Sequence, residues 1–361
     1  MNKTLIILPK KNNSGGNTEV LYFINNLNSF GYKTKVKYLF TKKPNFKNIK
    51  DFIQITRDWY SIFKLSKKTK NIILTHYSTL FFALLFLHNK QLTILIQSAE
   101  WKVVSKFKYI QFISKLIHFV AFKKINNFIF ANNILIEEFK NDYLISKIFE
   151  NKFVNIILYP IGHNHRKSEY ITKFKNRKND IFLLLRNNWV KRYDLYIETL
   201  EEISNLYPPE ILNEINIYIV DLSSKKLKLP SNKFNLKYSK EISHSEFKKI
   251  LKESKLLLYL SCYEGFGLPP LEAMHEGCIP IITNNHGQYN YLRKNSKLVL
   301  DKESEPKVIA NRVKFLLNGE DKELINNLNK LSEEAEKYYK YAEDLRRKQI
   351  KKIIKILSKS K

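Results

Sequence analysis

The chain has 361 residues, 44% of them hydrophobic, with 24 Phe and 21 Tyr. That excludes wholesale disorder, and it is more length than one compact core needs, so two domains are expected. The net charge of +29 comes from 54 Lys against 9 Arg scattered over the whole chain, which argues against a base-reading nucleic-acid surface and for attraction to acidic substrates or an anionic membrane.

Two cysteines, Cys262 and Cys278, can build neither a disulfide framework nor a zinc site, and buried free thiols in a reducing cytoplasm are expected. The opening "MNKTLIILPKK" has too short an apolar run for a secretory signal. The longest apolar stretch, residues 78–88, falls short of the roughly 18 residues a membrane span needs. A cytoplasmic protein is expected, free or peripheral on the inner face of the membrane.

Strand-like and helix-like patterns alternate from the start. Residues 4–8 form a short β-rich run, and "KNNSGGN" follows as a loop. Val20, Leu21, Phe23, Ile24 and Leu27 then recur at helical spacing, ending before Gly31. Further strands are expected at 33–40, 71–76, 92–97 and 127–132, with helices between them. Such alternation predicts a parallel sheet covered on both faces.

Residues 105–124 interleave aromatic and aliphatic side chains with Lys106, Lys108, Lys115, Lys123 and Lys124. They read as a helix packed on the sheet with a solvated lysine face, or as a basic apolar edge resting on an anionic leaflet. Around residues 160–180 a Pro, a Gly and a charge run mark a linker. A second series follows, with strands at 180–186, 215–221, 255–260 and 278–282 and a helix through 193–203. From about residue 320 the strands stop and a charged helix is expected. The domains are therefore 1–168 and 178–335, followed by a helix over 336–361.

One stretch stands apart. "YLSCYEGFGLPPLEAMHEGCIPII" (259–282) holds three of nine glycines and three of ten prolines. An apolar strand ends in the loop "SCYEGFG", and "LPPLEAMHE" starts a helix with its prolines in the tolerated first turn. In open α/β sheets ligands bind beyond the carboxyl ends of the strands. There the backbone N–H groups of Phe266, Gly267 and Leu268 are an anion site at a helix N-terminus. Glu264 in the loop and Glu272 one turn into the helix can accept hydrogen bonds from hydroxyls. A nucleotide-sugar, with pyrophosphate, ribose and hexose, combines these features; a plain strand-turn-helix is the alternative.

This stretch resembles the signature of retaining glycosyltransferases of family 4, in which two glutamates with seven residues between them flank a Gly-Phe-Gly-Leu-Pro run. Glu264, Gly265, Phe266, Gly267, Leu268, Pro270, Glu272, Ala273, Met274, Gly277 and Pro280 match it. "RNNWVKRYD" (186–194) is similar to the family's diphosphate clamp, with Arg186 and Lys191 at its Arg and Lys; Leu185 and Arg192 replace its glycines. "SGG" (14–16) resembles the family's N-domain glycine loop. "LYPIGHN" (158–164) resembles the segment before the interdomain linker, with Ile161 in place of Asn. Where many members have a His at the end of an N-domain strand, this chain has Gln97, which cannot share a proton as imidazole does. "QSAE" (97–100) is similar to a rhamnosyltransferase subgroup, which raises 6-deoxyhexose transfer.

The resemblance implies the GT-B fold, two Rossmann-like domains with parallel sheets facing across a cleft. It implies transfer of a sugar from a nucleotide-sugar to a glycan, lipid-linked or protein acceptor in cell-surface polysaccharide biosynthesis. Arg186, Lys191 and Glu264 would be catalytic. Gly15, Gly16, Gln97, Phe266, Gly267, Leu268 and Glu272 would bind the donor. No cofactor and no metal are expected, since no Asp-x-Asp follows an apolar strand. His76 is a further cleft candidate, or a cap at a strand end. A sugar-nucleotide epimerase of the same fold and an inactive binding subunit are the rival readings.

Overall fold

The computed structural model describes residues 4–10, 15–40, 49–87, 90–151, 154–162, 171–186, 188–221, 234–240, 242–293 and 296–358. Most of the "KNNSGGN" loop including Ser14, the linker residues 163–170 and Asn187 lie outside them. Two compact units result, residues 1–164 with 341–361, and residues 165–340.

The first unit runs β1 (Thr4–Lys10), α1 (Gly15–Ser29), β2 (Thr34–Phe40), α2 (Ile49–Lys67), β3 (Asn71–Leu74), α3 (Tyr77–Phe86) and β4 (Gln91–Ile96). It continues with α4 (Glu100–Val103), α5 (Lys108–Phe122), β5 (Ile125–Phe130), α6 (Asn133–Lys140), α7 (Tyr143–Asn151) and β6 (Asn155–Leu158). The six strands are parallel in the order β2-β1-β3-β4-β5-β6. Leu5–Leu8 and Ile72–Leu74 are fully buried, as helices on both faces of a parallel sheet require.

The second unit runs β7 (Lys178–Leu185), α8 (Tyr193–Leu206), α9 (Pro209–Leu212), β8 (Asn216–Asp221), β9 (Asn235–Ser239), α10 (His244–Glu253) and β10 (Ser254–Tyr259). Then come α11 (Leu268–His275), β11 (Ile279–Thr283), β12 (Val299–Leu300), α12 (Pro306–Leu317), α13 (Lys322–Asn326) and α14 (Leu328–Ser358). Its parallel sheet has the order β12-β11-β10-β7-β8-β9. The order reverses between β7 and β10, the first and fourth strands of this unit, and between β1 and β3 in the first unit. Such switch points open a crevice beyond the strand ends, because the connections leave on opposite sides.

The α/β architecture matches the expectation, and the long apolar strands lie within a few residues of their expected bounds. Three strands were not expected: β6, β9 and β12. All three lie at the edge of their sheets: β9 carries no apolar run, β12 is two residues long, and β6 has an apolar run of only three residues, 156–158, just before Pro160.

The tail helix α14 serves both units. Ser332 Oγ donates to the His275 carbonyl at 2.8 Å, and Tyr339 packs edge-on against the His275 ring at 5.5 Å. Further along, Ile350, Ile353 and Leu357 are buried in the first unit's core with Phe23, Leu27 and Ile73. Arg346 donates to the Pro160 carbonyl at 3.2 Å. Burying three such aliphatic side chains stabilises the first unit by about 1.5–3 kcal/mol each.

Gly277 ends α11 in a left-handed conformation, φ 75°. Its N–H reaches the Met274 carbonyl at 3.1 Å and the Cys278 N–H reaches Ala273 at 2.8 Å, the paired bonds that close a helix at glycine. The buried Arg177 fills the space beside it, donating to the carbonyls of Thr172, Leu251, Ser254 and Glu276. A Cβ at Gly277 would lie 2.6 Å from Arg177 Nη2 and from Ile171 Cγ2. Gly277→Ala is therefore expected to lower stability by about 2 kcal/mol or more; an unchanged denaturant midpoint would contradict this packing.

Candidate active site

The two chain segments with chemical promise leave the two strands that flank the second unit's switch point. After β7, Arg186 is the first residue beyond the strand and half-buried. Among the described residues its guanidinium forms no ion pair. Asn188 then accepts from the Val190 N–H at 3.1 Å, opening a 3₁₀ turn over Trp189–Lys191. Arg192 follows in the left-handed region at φ 49°, ψ 50° and hands the chain to α8. The family clamp carries glycine at this position, and the backbone shows why: only glycine adopts it without steric cost. Arg192 offsets part of that cost by donating to the Lys302 carbonyl.

The second segment follows β10. It is tied to the first by the Cys262 N–H, which reaches the Val190 carbonyl at 2.8 Å. Tyr196, buried on α8, accepts from the Leu260 N–H at 2.8 Å. Deeper support comes from the turn after β11: the Glu264 N–H reaches the Asn285 carbonyl at 2.9 Å. A Cβ at Gly287 would sit 2.6 Å from the Phe266 carbonyl oxygen and 2.9 Å from Glu264 Cβ, so no larger residue allows this approach. Phe266 is buried against Tyr291 and Tyr338, with ring centroids 5.6 and 5.2 Å away. Tyr291 Oη donates to the Gly267 carbonyl at 2.8 Å. Gly267 itself is left-handed, φ 82°, at the start of α11.

These ties bring Lys191 and Glu264 together as an ion pair whose side chains are each only 16% exposed. Lys191 Nζ also donates to Tyr259 Oη at 3.2 Å and lies 4.9 Å from the centre of that ring. Burial, and after it the Glu264 charge, holds the Tyr259 phenol well above its ordinary pKa, so it stays protonated at neutral pH. Tyr291 is pushed the same way by burial and then by Glu264, Tyr338 and Glu272. Both glutamates thus lie near enough to Tyr291 to raise its pKa.

Among the described residues, no protein acceptor takes the N–H groups of Phe266, Gly267 or Leu268. Pro269 and Pro270 in the first turn of α11 carry no N–H at all, so the helix dipole's donors are concentrated on these three. The result is a cation, a row of backbone donors and two carboxylates beyond the ends of adjacent strands. That arrangement can bind a phosphate and a polyol together.

In the first unit, Gly15 and Gly16 open α1 beyond β1, and Gln97 follows β4, half-buried. His76 caps α3: its Nδ1 accepts from the Ser78 N–H at 3.3 Å. Burial, and then the nearby His118, lowers its pKa to about 4. The ring is thus neutral at pH 7, and Glu100, 3.9 Å away, gains no ion pair from it. A helix cap is the role its contacts describe. Sequence reasoning missed Tyr259, Tyr291, Tyr196 and Gly287. A tyrosine ending an apolar strand and a lone glycine in "HGQYNY" were the available signals. A separate hollow of about 470 Å³ lies between β9 and α10, but its Lys178 is paired with Glu253 and its Lys237 donates to Tyr218.

Residues 165–358 match the family model described as glycosyl transferases group 1. The chain belongs to that family. Curated proteins yield no match. Solved structures agree on the fold. The sucrose-phosphate synthase of Thermosynechococcus elongatus superposes with a TM-score of 0.69 at 13% identity, over 99% of this chain and 100% of that one. The Anabaena protein HepE, in complex with UDP and glucose, gives 0.62 at 11% identity, over 98% and 100%. A mutant of S. aureus TarM, in complex with fondaparinux, alpha-GlcNAc-glycerol and UDP, gives 0.55 at 20% identity, over 80% of this chain and 57% of that one. The two-sheet architecture of this group 1 glycosyltransferase is thus the GT-B fold.

Arg192→Gly is expected to leave stability within about 1 kcal/mol of wild type or raise it, whereas Arg192→Val should lower it by about 1–2 kcal/mol. Equal destabilisation by both, read from denaturant midpoints, would assign the position to the Lys302 contact instead of backbone strain.

Proposed function

We propose that the protein is a retaining, metal-independent glycosyltransferase, similar to family 4, that moves a hexose or deoxyhexose from a nucleoside-diphosphate sugar to an acceptor. The carrying observation is the Lys191–Glu264 pair set beside three unclaimed backbone N–H groups at the switch point of the second sheet. UDP is the first nucleotide to test, since UDP is named with both HepE and TarM.

In this reading the donor's diphosphate enters beside Lys191 and Arg186, and the Phe266, Gly267 and Leu268 N–H groups hold phosphate and sugar. Glu272 accepts from the ribose hydroxyls and Glu264 from the transferred sugar. As the bond from anomeric carbon to phosphate oxygen breaks, that oxygen gains negative charge. The fixed cations and N–H dipoles stabilise it without reorganising. The departing phosphate helps remove the acceptor's hydroxyl proton as the new glycosidic bond forms on the same face, so no side chain need be a strong base. Gly15, Gly16 and Gln97 are assigned to donor binding, Gln97 to the sugar, and the acceptor of the first unit is a glycan, a lipid-linked sugar or a protein. The protein acts in the cytoplasm, and a lipid-linked acceptor would draw it to a membrane surface.

The test is incubation with nucleotide-sugars and acceptors, following free nucleoside diphosphate. Lys191→Ala should lower kcat by about two powers of ten, the scale for one preorganised electrostatic partner. Arg186→Ala should act alike, with Arg186→Lys restoring part, because a bidentate fork is lost. Glu272→Ala should instead raise the donor KM with kcat nearly unchanged, because ribose contacts change little during reaction. Full turnover in a folded Lys191→Ala variant would place the diphosphate elsewhere. Isomerised donor would make the protein an epimerase, and binding without turnover a binding subunit.

A further inference from the structure

Helix α5 has two apolar faces. One is inside: His118, Ala121 and Phe122 are buried, with Phe122 against Phe128 and Phe139 at 5.4 and 5.9 Å between ring centroids. The other is outside. Tyr109, Phe112, Ile113, Leu116, Ile117 and Val120 are 38–64% exposed. Their spacing of three and four puts all six on one stripe of the helix. Phe107 just before the helix is exposed as well, as are Leu85 and Phe86 at the end of α3, which packs beside α5. The outer face is therefore an apolar stripe and not a lysine face, with Lys106, Lys108, Lys123 and Lys124 at its two ends and Lys115 paired with Asp142.

Charge distribution indicates what covers this face. Lys106 and Lys108 are exposed at one end, Lys123 and Lys124 at the other. The ammonium groups of Lys106 and Lys123 lie over the rings of Phe107 and Phe119, 5.5 and 4.4 Å from the ring centres, so charge and apolar surface meet at both ends of the stripe. No acidic residue occurs between Glu100 and Glu137. The neighbouring acids are engaged, Asp142 with Lys115 at 2.6 Å and Glu138 with Lys102. A second copy of the chain would bring these same four lysines against each other on a molecule of net charge +29. A bilayer with anionic headgroups supplies both what the stripe lacks and what its ends attract.

We propose that the outer face of α5 seats in the interface of an anionic lipid bilayer, the stripe among the upper acyl chains and the end lysines at the headgroups. It deepens the lipid-linked alternative for the acceptor and rests on that reading for its purpose alone; the test reads binding and is independent of sugar transfer.

The full-length protein is sedimented with vesicles of phosphatidylcholine with and without phosphatidylglycerol. Wild type should bind the anionic vesicles and be released by salt. The triple variant Phe112→Ser, Ile113→Ser, Ile117→Ser should bind at least about tenfold more weakly. The quadruple Gln variant of Lys106, Lys108, Lys123 and Lys124 should lose a similar factor. All seven side chains face solvent, so both variants should keep the wild-type circular dichroism. Phe112→Trp should add tryptophan emission that shifts to the blue on anionic vesicles only. Failure of wild type to bind, or binding that the triple variant keeps in full, would overturn the proposal. So would a wild-type dimer in sedimentation velocity that the triple variant dissolves, since a second copy would then own the face.

Discussion

The ion pair between Lys191 and Glu264 is the interaction on which the candidate site depends. Each partner leaves a different strand, and the two strands flank the reversal of the sheet. Neither charge could sit at 16% exposure alone, since an unpaired buried charge costs several kcal/mol and removing one partner leaves the other stranded. The pair therefore holds the two loops in register. It also sets the terms for a ligand. In the proposed function a diphosphate would compete with Glu264 for Lys191, and a sugar hydroxyl would compensate Glu264 for the loss.

Such an exchange works only if the loops do not move when their charges change partners, and the surrounding packing supplies that rigidity. The Cys262–Val190 bond, the Tyr196 hydroxyl and the close approach at Gly287 fix the backbone. The Phe266, Tyr291 and Tyr338 rings fix the glycine loop from behind. Tyr338 comes from α14, whose later residues fill the first unit's core. Chain remote from the motif thus carries part of its support.

The motif residues were legible in the sequence because their spacing encodes a physical sequence of events: strand, tight turn, helix start and helix stop. Gly267 and Gly277 both adopt left-handed backbone, which favours glycine. The tyrosines behind the loop were not legible. Tyr259, Tyr196 and Tyr291 act through tertiary contact from three separate elements, and the one local signal, a tyrosine ending an apolar strand, does not say what that tyrosine touches. The long buried strands were legible for the reason that β9 was not: two covered faces force an apolar run, and an edge position does not. For α5 the sequence left a lysine face and a basic apolar edge both open, because the pattern alone does not say which face the sheet covers; the exposed stripe decides for the apolar edge.

Calorimetric titration of Glu264→Gln with nucleoside diphosphates tests the central claim most directly. A free nucleoside diphosphate brings the negative charge that Lys191 would receive and lacks the sugar that Glu264 would hold. Neutralising Glu264 should therefore tighten its binding, by about threefold or more, while sugar transfer falls. Unchanged or weaker binding in a folded Glu264→Gln protein would mean that Lys191 does not exchange Glu264 for a diphosphate, and the site's account would fail.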